Sequence, residues 1–322
     1  MTSSFRKINY SLRPAKHAER RMLCEIFGRL GPFQPVERYI YLGFGSVWFA
    51  DFILFHRHLG IREMISIERV ANARARIEDN KPFRAVTVHY REATRVLPRL
   101  KWNRRYFVWL DYDEPLLPEM LIDTRTVADR APSGTVLAVS VQCHKAREYA
   151  AAESEPGGQS GIERFRNEFG RQRVAQKVSE EDLMGWPFGA LCRSIIASEI
   201  EAALAVRNGP VQGADVLSFR PICEIEYEDG AKMTTIVGLL AAAKDDQFVE
   251  ACGFDRLDFM PAHGRPVRIR VPNLTVREVR KLEQQLPQLR AGKLELGSIP
   301  AAEAKAFADL YRYLPNFAVL ET

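Results

Sequence analysis

Short, nearly continuous apolar runs alternate along the first half of the chain with stretches whose apolar positions recur at helical spacing. The runs are Arg38–Leu42, Met64–Ile67, Ala85–His89, Tyr106–Leu110 and Thr135–Val141. Helical patterns lie between them: Phe49–His58, Val70–Asp79, a short segment ending at Leu97-Pro98, and residues 116–129. Strands that are apolar at consecutive positions are buried on both faces, as in a parallel sheet covered by helices. The alternation therefore predicts an α/β class with a doubly wound, mostly parallel sheet.

The rhythm changes further on. Residues 5–30 form a helix-rich leader in which Met22, Ile26, Phe27 and Leu30 share one face. Residues 144–215 contain a Pro156–Gly161 loop and a charged helical stretch, Ile162–Lys177. A capping-box start follows at Ser179–Asp182, and after Gly185-Trp186-Pro187 comes a long amphipathic helix, Ala190–Val206. This stretch is long for a plain crossover, so a helical insertion over a site is expected. Val216–Tyr227 and Met233–Leu240, joined across Asp229-Gly230, predict an antiparallel hairpin that ends the sheet. The tail shows a half-exposed strand pattern at Arg268-Ile269-Arg270, a capping box at Thr275–Glu278 and a helix at Ala301–Arg312. The expected organisation is a basic helical leader (1–35), a central domain (36–242, insertion about 144–215) and a C-terminal α/β extension (243–322). The extension offers a surface for a protein partner or a second copy.

Composition narrows the picture in three ways. No apolar run approaches the ~20 residues of a membrane span, and no secretory signal opens the sequence, so a cytoplasmic protein without membrane association is expected. The five cysteines are scattered, with no CxxC pair and no zinc spacing, which argues for buried reduced thiols and no metal. The formal charge is +5, and the first thirty residues carry seven Lys/Arg against Glu19 and Glu25. A basic leader of this kind suits phosphate-bearing partners, nucleic acid among them.

The candidate chemistry gathers at the ends of the strands. Tyr39–Ser46 ends a strand in a Gly43-Phe44-Gly45-Ser46 turn before a helix. A dinucleotide fingerprint needs a third glycine where Trp48 stands, and a phosphate loop needs a G-K-[ST] that is missing. Glu68 closes the next strand, 25 residues after Gly43, where a carboxylate can accept ribose hydroxyl protons. Glu92-Ala93 follows the third strand. Asp111, Asp113 and Glu114 follow the fourth, at the carboxyl edge where open sheets bind ligands.

This order of strand, GFGS turn, helix, Glu68, Glu92 and Asp111, finished by a hairpin, resembles class I S-adenosylmethionine (SAM)-dependent methyltransferases over residues 36–242. Phe107–Pro115, F-V-W-L-D-Y-D-E-P, is similar to the motif after the fourth strand in some RNA-guanine methyltransferases and bacterial relatives. The resemblance implies SAM as cofactor, with Tyr41, Gly43, Phe44, Gly45 and Ser46 around its methionine part. It places Glu68 on the ribose, Glu92 and Ala93 beside the adenine, and Asp111 at the cofactor as well. Two positions depart from the pattern: Tyr41 stands where the family has an acid, and Val47 where it has a third glycine.

Asp111 and Asp113 are the candidate catalytic groups for orienting or deprotonating an oxygen or nitrogen acceptor. His144 is an alternative base and Cys143 a weaker nucleophile candidate. Trp186-Pro187-Phe188 could form an aromatic wall, and Arg164, Arg166, Arg171 and Arg173 could grip phosphate. The expected function is a SAM-dependent methyltransferase with its acceptor open. Its rivals are a degenerate SAM- or nucleotide-binding sensor or partner subunit, and a nucleic-acid-binding protein on a Rossmann-like scaffold.

Overall fold

The computed structural model describes residues 13–69, 73–146, 159–261, 264–287 and 294–315. Its centre is an eight-stranded sheet. The strands are β1 (Ile40–Gly43), β2 (Glu63–Ile67), β3 (Val86–His89), β4 (Tyr106–Pro115), β5 (Thr135–Gln142), β6 (Leu217–Glu228), β7 (Lys232–Ala242) and β8 (Val267–Ile269). They lie in the order β3-β2-β1-β4-β5-β7-β6-β8. All neighbours pair in parallel except β7, which runs antiparallel to both β5 and β6. Strand order reverses between β1 and β4, so the crevice for a ligand opens there, at their carboxyl ends.

Each sheet face has its own apolar core. On one face lie α1 (Pro14–Gly28), α2 (Ala50–Leu59) and the C-terminal residues; Tyr41, Phe107 and Trp109 of the sheet point to this side. On the other lie α4 (Ala93–Val96), α5 (Pro118–Arg130), α6 (Gly161–Phe169) and α7 (Gly185–Asn208), facing Leu42, Val108 and Leu110. The remaining helices are α3 (Arg74–Asp79), α8 (Asp246–Cys252), α9 (Val276–Glu283) and α10 (Ala301–Leu310).

Several expectations are corrected. β4 does not stop at Leu110 but continues to Pro115, with an irregularity in its pairing to β5 after Asp111. Strand alternation therefore extends through the acids and sends Asp111 and Tyr112 to opposite faces. The sheet does not end at the hairpin: β8 pairs with β6 and brings the tail into the sheet. α7 begins at Gly185, so Trp186 and Pro187 form its first turn, where a missing proline N–H is harmless. Helix α7 packs on α5 and on β5, β6 and β7. Helix α6 ends at Phe169, short of the expected Lys177, because Gly170 takes φ 88°. Residues 1–12, 70–72 and 147–158 lie outside the described residues, and with them Arg6, Lys7, the start of the Val70 helix and most of the Pro156 loop.

The leader supplies a helix to the core. Helix α1 lies against the sheet, with Lys16, Glu19 and Arg20 buried among Met22, Leu23, Ile26 and Phe27. Its first turn is capped from across the chain: the Asp229 carboxylate in the hairpin turn accepts from the Ala15 and Lys16 amides at 3.3 and 2.8 Å. The cap pins the N-terminal end of α1 to the carboxyl edge of the sheet.

Candidate functional site

The turn after β1 is held by its own neighbours. Ser46 and Phe49 are non-glycine residues with φ of 50° and 47°. Such backbone persists only where surrounding contacts fix it, and it clusters at functional sites. The fixing contacts come from β2. Ser66 Oγ accepts from the Gly45 amide at 3.0 Å and donates to Glu68 Oε1 at 2.8 Å. The same Glu68 oxygen accepts from the Ser46 amide at 2.7 Å. Burial raises the Glu68 pKa, while these donors pull it down.

Both glycines are explained in the first instance by the chain itself. A Cβ on Gly43 would collide with the Tyr41 hydroxyl. One on Gly45 would lie 2.5 Å from Phe49 Cδ1 and 2.9 Å from Ser66 Oγ. A large residue at Gly45 would break the turn whether or not a ligand binds there.

Tyr41 is fully buried against Phe52 and Phe55, and its hydroxyl donates to Asp51 in the first turn of α2. A carboxylate therefore does stand near the position where the family's acid is missing, but it is supplied by α2. The sequence carries a signal for this: Asp51 and Phe55 are four residues apart, on one buried face of the helix.

After β4 the two sides of the site differ. Towards α1, Asp111 Oδ1 meets Lys16 Nζ at 2.5 Å, and Lys16 also pairs with Glu19 at 2.7 Å. The ammonium lies 4.3 Å from the Trp109 ring centre and 5.5 Å from that of Tyr227. Glu19 accepts from the Thr235 hydroxyl, which is bonded to Ser140, itself an acceptor for Trp109 Nε1. Burial raises the Asp111 pKa and the Lys16 ammonium opposes the rise.

Towards α5, Tyr112 donates to Asp123 Oδ2 at 2.8 Å and packs edge-on against Phe44 of the turn at 5.2 Å. Glu92 stands at the N-terminal boundary of α4, beside the buried Ala93, and its side chain makes no capping hydrogen bond. Asp113 is exposed, and Glu114 lies 3.8 Å from Arg69. The structure thus joins Phe44, Gly45, Ser46 and Glu68 in one hydrogen-bonded turn, and Tyr41 with Asp51. Asp111 is drawn into a buried ionic cluster, while Glu92 and Asp113 stand at the rim.

Asp123, Asp51 and Lys16 are site groups that the sequence reading missed. Burial raises Asp123 to about 7, the Tyr112 hydrogen bond opposes, and Glu92 and Glu119 add to the rise. Starting from an ordinary value of 3.8, the native state holds a proton between about pH 4 and about pH 7 that the unfolded chain releases. Wild-type stability therefore falls across that window as pH rises. Asp123→Asn, which still accepts from Tyr112, is expected to gain stability over wild type between pH 5 and pH 8. Thermal melts at the two pH values check this; a constant difference would mean that Asp123 is ionised at both.

Other candidates take structural places. Cys143 is buried and its thiol is pushed up to about 12, so it is no nucleophile. Phe188 is core, whereas Trp186 lies under Arg268 and Lys232 at 5.0 and 5.4 Å. Arg166 and Arg171 pair with Glu163, and Arg173 with Glu199. His144 is exposed. Among the described residues no His/Cys/Asp/Glu group could hold a metal, and no helix is long and apolar enough to cross a membrane.

Comparison with known proteins adds to this geometry. A search of curated proteins finds no match. Among solved structures, Trm1 from Pyrococcus horikoshii, in complex with S-adenosyl-L-methionine, is similar at 14% identity and a TM-score of 0.45. The match covers 73% of this chain and 57% of that one. An O-methyltransferase from Bacillus cereus in complex with SAH is similar at 12% identity and a TM-score of 0.38, over 73% of this chain and 86% of that one. A family profile described as "Putative O-methyltransferase" matches residues 8–322, nearly the whole sequence. With its β3-β2-β1-β4-β5-β7-β6 core and its braced glycine turn, the chain belongs to this methyltransferase family.

Proposed function

We propose that this protein transfers a methyl group from SAM to an oxygen acceptor bound beside Asp111 and Asp113. The observation that carries the reading is the Glu68 brace. One carboxylate oxygen holds the Ser46 amide of the glycine turn, which leaves the other for a ribose hydroxyl. The residues present suit the cofactor in charge as well. Lys16 and Arg20 stand against Glu19, Asp51 and Asp111, and a site with more carboxylates than cations favours a ligand of net positive charge.

When bound, SAM supplies an electrophilic methyl on a sulfonium. The protein's part is to hold the acceptor in line, exclude water and take its proton. Gly43–Ser46 and Glu68 would hold the donor, with Phe44 and Tyr112 as an aromatic wall. Asp111, raised by burial, is a better proton acceptor than an exposed aspartate, and the exposed Asp113 lies two residues further along β4. Lys16 orients the Asp111 carboxylate.

The second reading, a SAM-binding subunit without turnover, is favoured by that same contact, since Lys16 already occupies the candidate base. Titration calorimetry of the full-length protein with SAM and S-adenosylhomocysteine tests the donor reading. Micromolar binding of both is expected, and the absence of both would sink it. Methyl release to a panel of phenolic and carboxylic acceptors then separates enzyme from subunit.

A further inference from the structure

Positive charge is concentrated in one part of the chain. Residues 57–105, from the end of α2 to the start of β4, carry thirteen Lys/Arg against five Asp/Glu, a surplus of eight that exceeds the +5 of the whole sequence. Eleven of the thirteen are exposed, and ten of those are arginines. The fold gathers them around β3, the outermost strand of the sheet. Met64 pairs with Val86 and Ile67 with His89, so Arg62 and Arg84 stand at the amino ends of β2 and β3, and Arg69 and Arg91 just past their carboxyl ends. Arg95 follows on α4. Arg104 is paired with Glu63, Lys81 with Glu78, and Arg69 lies 3.8 Å from Glu114. Arg62, Arg84, Arg91, Arg95 and Arg99 form no ion pair among the described residues. Arg74 lies 4.8 Å over the ring of the partly exposed Tyr90. Charges that only guard an edge strand against pairing sit on that strand, whereas these extend onto α3 and α4.

We propose that this edge of the sheet is a docking surface for the phosphate backbone of a nucleic-acid strand. From Arg84 to Arg91 the basic track runs along β3 for roughly 20 Å, long enough to meet several phosphates of one strand. Unpaired like charges held side by side repel one another; a polyanion relieves that repulsion and releases its own counterions on binding. Arginine suits this partner better than lysine would, because its planar fork matches phosphate oxygens and its face stacks on bases. Tyr90 under Arg74 adds an aromatic platform of the kind that single strands stack on. An anionic membrane fits less well. The exposed large apolar side chains are Ile122, Met184 and Val206, on or beside α5 and α7, and none lies among the described residues of 57–105 to enter a bilayer. Docking needs no SAM, so the inference stands apart from the donor reading.

The test titrates the full-length protein into fluorescein-labelled single-stranded RNA and DNA of mixed sequence, about 20 nucleotides long, and follows anisotropy. With about four arginines on phosphates, log K should fall with log salt at a slope of about −3, so affinity should drop roughly fiftyfold between 50 and 200 mM salt. The double variant Arg84→Glu/Arg91→Glu should bind at least tenfold more weakly at 50 mM salt and lose about half of the slope. Both side chains are exposed and unpaired, so this variant should melt as wild type does. Arg265→Glu/Arg277→Glu changes net charge equally, beside β8 at the opposite edge and on α9, and should bind within twofold of wild type. Failure of wild type to bind either strand at 50 mM salt would overturn the proposal. So would a slope shallower than −1, or equal losses in the two double variants, which would reduce the effect to net charge. Displacement of the RNA by poly-glutamate as readily as by unlabelled RNA would point to an acidic protein instead. Binding to phosphatidylserine vesicles as tight as to RNA, and lost in Arg84→Glu/Arg91→Glu, would point to a lipid surface; both results count against the proposal.

Discussion

Lys16→Met is expected to destabilise the protein by about 3–5 kcal/mol at pH 8, the usual consequence of removing one partner from a buried ionic group. The Lys16 side chain is 2% exposed and that of Glu19 is 0% exposed, with Asp111 completing the group at 20%. Methionine fills the same space between the Trp109 and Tyr227 rings, so the loss is electrostatic and not a cavity. For 322 residues, at ~2.1 cal/mol/K of unfolding entropy per residue, the melting temperature should drop by roughly 4–7 °C. Without the ammonium, Asp111 loses the charge that opposes its rise and titrates higher in the folded state than in the unfolded one. The deficit should therefore shrink as pH falls and this carboxyl takes up a proton. Adding Glu19→Gln should restore part of the stability, because the two sites share one interaction. A deficit under about 1 kcal/mol, or one that does not vary between pH 5 and pH 8, would show that the cluster is well solvated.

This cluster also marks where sequence reasoning stopped. The order of strands β1 to β5, the hairpin and the placement of Glu68 were legible, because buried parallel strands leave continuous apolar runs and turns leave glycines. The role of α1 was not. Seven basic residues among the first thirty read as a face suited to phosphate-bearing partners, and nothing in their spacing shows that Lys16 and Arg20 are buried. Their partners are 21 to 95 positions away, at Tyr41, Asp51 and Asp111, and only the fold brings them together. The glycines were placed correctly in the turn but for an incomplete reason, since Tyr41 and Phe49 already fill the space that side chains there would take. The acids after β4 looked like one group. The two-residue period of a strand instead turns Asp111 to α1 and the intervening Tyr112 to α5. A half-exposed run at Arg268–Arg270 hinted at β8, but its pairing with β6 could not be read from so short a segment.

Glu68→Gln is expected to divide the two duties of this residue. The amide oxygen of glutamine can still accept from the Ser46 amide and the Ser66 hydroxyl, so the turn keeps its brace. The second carboxylate oxygen becomes an NH₂ group, which donates where a ribose hydroxyl needs an acceptor. SAM affinity should fall roughly 10–100-fold, the range for hydrogen bonds to a charged group. Stability should stay within about 1 kcal/mol, because the change also removes a carboxylate whose ionised form burial disfavours. Glu68→Ala loses both duties. It should bind no better than the glutamine variant and melt lower, since the Ser46 amide is then left without its acceptor and the left-handed conformation at Ser46 loses its main restraint. Calorimetry and thermal melts on the two variants side by side check the division. If glutamine binds SAM as wild type does while alanine melts lower, Glu68 only braces the turn. The donor would then be held by the rest of the glycine turn and the aromatic wall alone.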